Sequence, residues 1–163
     1  MSKPIRFAAV GAGFWARYQL SAWKEIAGVE CVAICDRDRS RAEALAKTLG
    51  IGAVYQDAEE MLVRERPQFL DVITTEESHA PLVHLAASRG VAVICQKPMA
   101  PSFALAREMV RTCREGNVPF FVHENFRFQA PMLAIKRALI EGRIGVPHRA
   151  RIHMITGYPS FIN

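Results

Sequence analysis

Short apolar stretches recur along the chain: "IRFAAV" (5–10), "ECVAIC" (30–35), "FLDVIT" (69–74), "VAVIC" (91–95) and "PFFVH" (119–123). Nearly unbroken apolarity over so few residues predicts strands buried on both faces. Between them apolar residues repeat at helical spacing: Ala16, Leu20 and Trp23; Ala42, Leu45, Ala46 and Leu49; Leu82, Leu85 and Ala86; Ala106, Met109, Val110 and Cys113. Each set gives a helix one apolar face. Ser40 with Glu43 has the spacing of a capping box, Ser102 stands to cap the helix after "KPMAP", and Gly50, Gly90 and Gly116 stand where helices should stop. The alternation predicts an α/β fold, a doubly wound, mostly parallel sheet with right-handed helical crossovers. Such sheets bind ligands at the carboxyl ends of their strands.

Beyond His123 the pattern changes. "ENFRFQAP" reads as a loop, Met132, Ile135 and Leu139 mark a helix ending at Gly142, and "RARIHMITGY" alternates like a strand with one exposed face. An isolated strand after a complete sheet has little to pair with. The expected division is therefore a complete sheet domain at 1–123 and, at 124–163, a linker helix with the first strand of a truncated second α/β domain. The 163 residues suffice for one domain with a real core.

Composition narrows the class. Half the residues are hydrophobic and 23% are charged, as in a compact folded protein. Lys plus Arg exceed Asp plus Glu by 21 to 16, but the basic residues are scattered, which argues against a nucleic-acid partner and suits phosphorylated or acidic small molecules. Cys31, Cys35, Cys95 and Cys113 have no CxxC spacing, and the first three lie in apolar runs, so buried free thiols and a reducing cytoplasm are expected. His84, His148 and His153 have no metal-ligand spacing, and no metal is expected. No apolar run approaches the ~18 residues of a membrane span, and the N-terminal apolar stretch is too short for a signal peptide. No membrane partner is expected.

Candidate chemistry starts at Gly11, Gly13 and Ala16, a GxGxxA pattern directly behind the first strand. Gly11 permits the tight turn, Gly13 lets backbone approach a pyrophosphate, and Ala16 keeps helix and strand close. Phe14 and Trp15, in the first turn of the helix, join them on the cofactor side. Asp36, at the end of the second strand, can accept both ribose hydroxyls and would repel a 2′-phosphate, which favours NAD; Arg37 and Arg41 keep NADP possible. These assignments make 1–123 a dinucleotide-binding domain. "CQKPMAP" fixes Lys97 between a buried strand and two prolines, where a partly desolvated lysine could exchange a proton with a substrate hydroxyl. His79 falls in the first turn of a helix and reads as a capping or packing residue. Asn125 and Arg127 follow the last strand, where polar groups could meet the nicotinamide or a substrate.

In the order and spacing of "AAVGAGFWA", "AICDRDRSRAEALA", "VYQDAEEML", "DVITTEESHAPL", "VICQKPMA" and "VHENFRF", the chain resembles the N-terminal part of the glucose-fructose oxidoreductase, inositol dehydrogenase and rhizopine catabolism family, Gfo/Idh/MocA. The resemblance implies a Rossmann domain carrying NAD(P). It also implies a following α/β domain that supplies much of the substrate site and the usual oligomer interface, and hydride transfer between nicotinamide and a hydroxyl carbon of a sugar, cyclitol or related polyol. The family's EKP motif falls on Gln96, Lys97 and Pro98, its Thr and His on Thr74 and His79, and its NxRF segment on Asn125, Arg127 and Phe128. Lys97 is then the catalytic residue. Gln96 departs from the usual Glu, losing a charge but keeping hydrogen-bonding capacity, and Thr75 stands where Pro is common. The Asp-x-x-x-His pair of the family's second domain has no counterpart in this sequence. Two alternatives stay open: an NAD-binding module without catalysis of its own, completed by a partner chain, and an NAD-dependent glycosidase.

Overall fold

The computed structural model describes residues 3–153. Six parallel strands form one sheet in the order β3-β2-β1-β4-β5-β6: β1 (Ile5–Val10), β2 (Val29–Cys35), β3 (Ala53–Tyr55), β4 (Phe69–Val72), β5 (Ala92–Cys95) and β6 (Phe120–Val122). Helices α1 (Phe14–Lys24), α2 (Arg39–Leu49), α3 (Ala58–Glu65), α4 (His79–Ser88) and α5 (Phe103–Glu115) alternate with them. Along β1, successive side chains go to opposite faces, as strand geometry requires. Phe7 and Ala9 join Leu20, Ala42 and Leu45 under α1 and α2, while Ala8 and Val10 join Met61, Val83 and Met109 under α3, α4 and α5. Phe7 stacks on Phe69 at a centroid distance of 4.7 Å, with Trp23 tilted against both rings. The doubly wound parallel sheet is the fold the alternation predicts.

The pairing register places the strand ends in one row. Val10 pairs with Cys35 on one side and Val72 on the other, and Val72 pairs with Cys95. The residues that leave the sheet next, Gly11, Asp36, Ile73 and Gln96, therefore emerge along a single edge.

Three local expectations change. A short sixth strand, β3, and helix α3 occupy a region that hydrophobic periodicity leaves unassigned; β3 has three half-buried residues, too few to show a pattern. The Ser40–Glu43 capping box does not form. The carboxylate of Asp38, one residue before α2, accepts the Ser40 N–H at 3.0 Å and the Arg41 N–H at 3.4 Å, and Glu43 instead pairs with Arg39 at 2.7 Å. An aspartate at that position captures the first-turn donors before Ser40 can. Ser102 does cap α5, its hydroxyl accepting the Leu105 N–H at 3.3 Å, and Gly50 ends α2 in the left-handed conformation. All four cysteines are free thiols; burial pushes those of Cys31, Cys35 and Cys95 up to about 12.

The chain divides into two units, Met1–Glu124 and Asn125–Asn163. In the second, the Asn125 carbonyl accepts the Phe128 N–H at 3.1 Å across a single turn of 3₁₀ helix, Phe126–Phe128. Helix α6 (Ala130–Ile140) follows, with proline in its first turn and Gly142 at φ +67° beyond its end. Residues 149–153 have no regular secondary structure, and the rest of the strand expected in "RARIHMITGY" lies outside the described residues. No described helix is long and apolar enough to cross a membrane.

Candidate cofactor and active site

The two glycines after β1 do different work. Gly11 has φ +106°, and a Cβ there would lie 2.2 Å from the Ile73 carbonyl oxygen. Only glycine lets β1 turn this close to the end of β4. Gly13 has an ordinary φ of −78° and precedes α1, and a Cβ there would meet nothing within 4 Å. Its bareness leaves space rather than relieving a clash. No side chain caps the start of α1 and no acid stands in its first turn, so the partial positive charge of that end is left for an anion.

Asp36 faces the same turn. Its Oδ2 accepts the Ala12 N–H at 2.7 Å and its Oδ1 the Asp38 N–H at 2.8 Å. The carboxylate thereby holds the glycine turn in place and still has lone pairs to spare, since its two oxygens offer about four acceptor sites. The pattern of glycines shows where this loop is, but not that Asp36 shapes it before any ligand arrives.

A cleft of about 560 Å³ opens along the sheet edge and is lined by Gly11, Gly13, Phe14, Trp15, Asp36, Arg37, Arg41, Thr74, Gln96 and Lys97, with Thr75 and Ser78 among the others. Its size is that of a small-ligand or cofactor site. Arg41 is already paired with Asp38 at 3.2 Å. Thr75, where proline is common in the resembling family, has φ −78°, within the range a proline ring imposes, so the turn keeps its shape.

Three anticipated cofactor residues of the first unit, Ala16, His79 and Pro98, do not line this cleft. Ala16 is fully buried on the core face of α1, where a larger side chain would push helix from sheet. His79 is fully buried as well. Its Nδ1 lies 3.1 Å from the Pro98 carbonyl and 3.2 Å from that of Met99, and its Nε2 lies 3.1 Å from the Thr74 carbonyl. The ring is spent on tying the segment after β4 to the segment after β5, the packing role its isolated position suggests. Pro98 belongs to that tied segment. Asn125 and Arg127 lie in the second unit, where the Arg127 guanidinium sits 5.5 Å from the Phe128 ring centroid.

Lys97 lines the cleft and is exposed, not partly desolvated as its flanking prolines suggest. Its ammonium makes no hydrogen bond or ion pair among the described residues. Its backbone, in contrast, is held. The Lys97 N–H donates to Gln96 Oε1 at 2.7 Å, Gln96 Nε2 donates to Gln19 Oε1 at 2.8 Å, and Gln19 Nε2 donates to both oxygens of Asp71 at 2.8 Å. The Trp23 indole N–H adds a further bond to Asp71 Oδ2 at 2.8 Å. Asp71 is fully buried in β4. Burial raises its carboxyl above the usual carboxylate range, against the opposing pull of the Gln19 and Trp23 hydrogen bonds. The one sequence signal of this chain of side chains is an acid inside the apolar run "FLDVIT".

Residues 5–124 match the model of an oxidoreductase family with an NAD-binding Rossmann fold, Gfo/Idh/MocA. The chain belongs to this family. It is 45% identical to the D-apiose dehydrogenase of Paraburkholderia graminis over 98% of its own length and 42% of that protein's. With the D-apiose dehydrogenase of Rhizobium rhizogenes it shares 41% identity, over 96% of this chain and 46% of the relative. An oxidoreductase from Agrobacterium radiobacter, solved in complex with NAD+, L-tartaric acid and magnesium, superposes with a TM-score of 0.86 at 43% identity, over 89% of this chain and 42% of that one. The chain spans less than half the length of these relatives. Its family gives the cleft a dinucleotide to fit, and three observations meet that ligand: the open space at Gly13, the uncapped start of α1, and an Asp36 carboxylate with acceptor capacity left.

Proposed function

We propose that this NAD-binding Rossmann unit is the cofactor-holding part of a dehydrogenase that acts on a hydroxyl carbon of a sugar or related polyol. The observation that carries the proposal is the common sheet edge, where the glycine turn, Asp36 and Lys97 line one cleft. The start of α1 with Gly13 receives the pyrophosphate, and Asp36 accepts the ribose hydroxyls. With Asp36 at this place and Arg41 committed to Asp38, NAD is the preferred cofactor over NADP. When bound, the nicotinamide supplies the hydride chemistry. Lys97 Nζ, on the cleft and without a partner among the described residues, holds or moves the proton of the substrate hydroxyl. The protein works in the cytoplasm, and a homo-oligomer forms through an adjoining second domain.

The two apiose dehydrogenases, at 45% and 41% identity, favour a pentose or similar small sugar as substrate class. Titration of the chain with NADH, followed by energy transfer from Trp15 on the cleft, checks the cofactor assignment. Saturable binding below about 1 mM, in the usual range of enzyme–substrate affinities, with NADPH at least about tenfold weaker, is the expected result. Absence of binding at millimolar NADH overturns it.

A further inference from the structure

We propose that Asp71 anchors a one-way hydrogen-bond chain, Asp71–Gln19–Gln96–Lys97, that positions the Lys97 backbone and requires an amide rather than a carboxylate at residue 96. Its importance for catalysis rests on the reading of Lys97 given above.

The direction of the chain is fixed independently at both ends. At one end the Lys97 N–H can only donate, so the oxygen of Gln96 must face it and the Gln96 NH₂ must point to Gln19. That in turn sets the Gln19 oxygen toward Gln96 and the Gln19 NH₂ toward Asp71. At the other end the Gln19 NH₂ lies 2.8 Å from both Asp71 oxygens and the Trp23 indole, which can only donate, faces the same carboxyl group, so Asp71 serves as the acceptor. The two ends agree, and each amide has one allowed orientation. Gln19 is itself buried, at 8% exposure, so a mismatch within the chain cannot be repaired cheaply by water.

A glutamate at position 96 would still accept the Lys97 N–H, but its second oxygen would demand the NH₂ of Gln19. Turning Gln19 would bring its oxygen against Asp71, acceptor to acceptor. An asparagine at position 71 produces the mirror fault. Asparagine puts one donor where Gln19 now meets two acceptors; Gln19 turns, and its NH₂ meets that of Gln96. Combined, the two changes restore complementarity. The new asparagine amide donates to Gln19, Gln19 donates to the new glutamate carboxylate, and Trp23 still donates to the asparagine oxygen. Position 71 in β4 and position 96 directly after β5 are thus read as one choice. The acceptor role of the buried acid selects Gln96, at the position where the resembling family usually has Glu.

The test is a four-member cycle in the full 163-residue chain: wild type, Gln96→Glu, Asp71→Asn and the double variant. Denaturant unfolding, NADH affinity and the Lys97 backbone amide resonance are read for each. The expected result is that Gln96→Glu lowers the folding equilibrium about tenfold, the cost of one buried unmatched group, and moves the Lys97 amide resonance. Adding Asp71→Asn to it recovers most of that loss and returns the resonance toward the wild-type position. If the two changes merely multiply, the proposal fails. Should a single variant not fold, the wild type decides: slow hydrogen exchange of the Gln19 and Gln96 side-chain amides supports the chain, and exchange at the rate of exposed amides overturns it. Loss of NADH binding by the wild type would count against the function, while the unfolding cycle would still decide the coupling.

Discussion

The glycine turn and the Gln96–Lys97 segment approach the same cleft from two strands, yet they are held by different physics. The turn is fixed by shape. Gly11 has no room for a Cβ against Ile73, and backbone groups of Ala12 and Asp38 close on the Asp36 carboxylate. The lysine segment is fixed by polarity, through two buried or half-buried amides running back to an acid in the sheet and through His79 bridging three carbonyls. Steric constraint tolerates no substitution at one residue. Polar constraint spreads over several residues and can be satisfied by a different matched set.

The sharpest break of this contrast is Gly11→Ala against Gly13→Ala. Gly11→Ala combines a left-handed backbone with a Cβ 2.2 Å from a carbonyl oxygen, and a loss of about 3 kcal/mol or more in unfolding free energy is expected. Gly13→Ala meets nothing and should cost less than about 1 kcal/mol, the difference between glycine and alanine before a helix. Its effect belongs to cofactor binding: a methyl group in the pyrophosphate path weakens NADH. Urea unfolding and NADH titration of the two variants check the separation. Equal stability losses would place Gly13 with Gly11 as a turn residue.

This contrast also explains what was legible in the sequence. Constraints set by neighbours in the chain leave local marks: five strands, the glycine turn behind the first of them, Asp36 at the end of the second and Ser102 before α5 all show in spacing alone. Constraints set across the sheet leave almost none. His79 is a lone histidine until Pro98 and Met99 come within reach of its ring. Gln96 is an unexplained departure until Gln19, 77 positions away, presents its oxygen. The Ser40–Glu43 pattern fits a capping box, but Asp38 lay two residues upstream with a stronger claim on the same donors. Strand β3 and helix α3 fell below the length at which periodicity speaks.

Removing the Asp36 carboxylate tests how far the shape-fixed end depends on it. Asp36→Ala frees the Ala12 and Asp38 N–H groups, and a cost of about 2 kcal/mol is expected, that of hydrogen bonds to a charged acceptor in a half-buried site. NADH binding should fall about tenfold with it, in line with the loss of a charge-assisted pair of hydroxyl contacts. A variant that keeps both its stability and its affinity would show that the glycine turn holds itself.

Asp71 gives the polar end a pH signature. Burial raises its folded-state carboxyl above the unfolded value, so the folded state binds a proton more tightly than the unfolded state does. Stability from this group is therefore fully present below the unfolded value near pH 4 and is lost as pH rises through the folded one. Unfolding measured from about pH 4 to 7 should show the wild type losing ground to Asp71→Asn as pH rises, on top of the constant mismatch in that variant. A difference that is flat with pH would mean that Asp71 titrates alike in both states.

The smallest stability effect is expected next door. Lys97 is exposed and its ammonium has no partner among the described residues, so Lys97→Ala should leave unfolding within about 0.5 kcal/mol of wild type, as for a surface substitution that breaks no contact. The backbone N–H that holds the segment to Gln96 survives the change. Side chain and backbone of one residue are thus separable: Gln96→Glu disturbs where residue 97 sits, and Lys97→Ala removes what it carries. A large destabilisation by Lys97→Ala would mean that the ammonium is part of the scaffold, and its assignment to proton transfer would lose its ground.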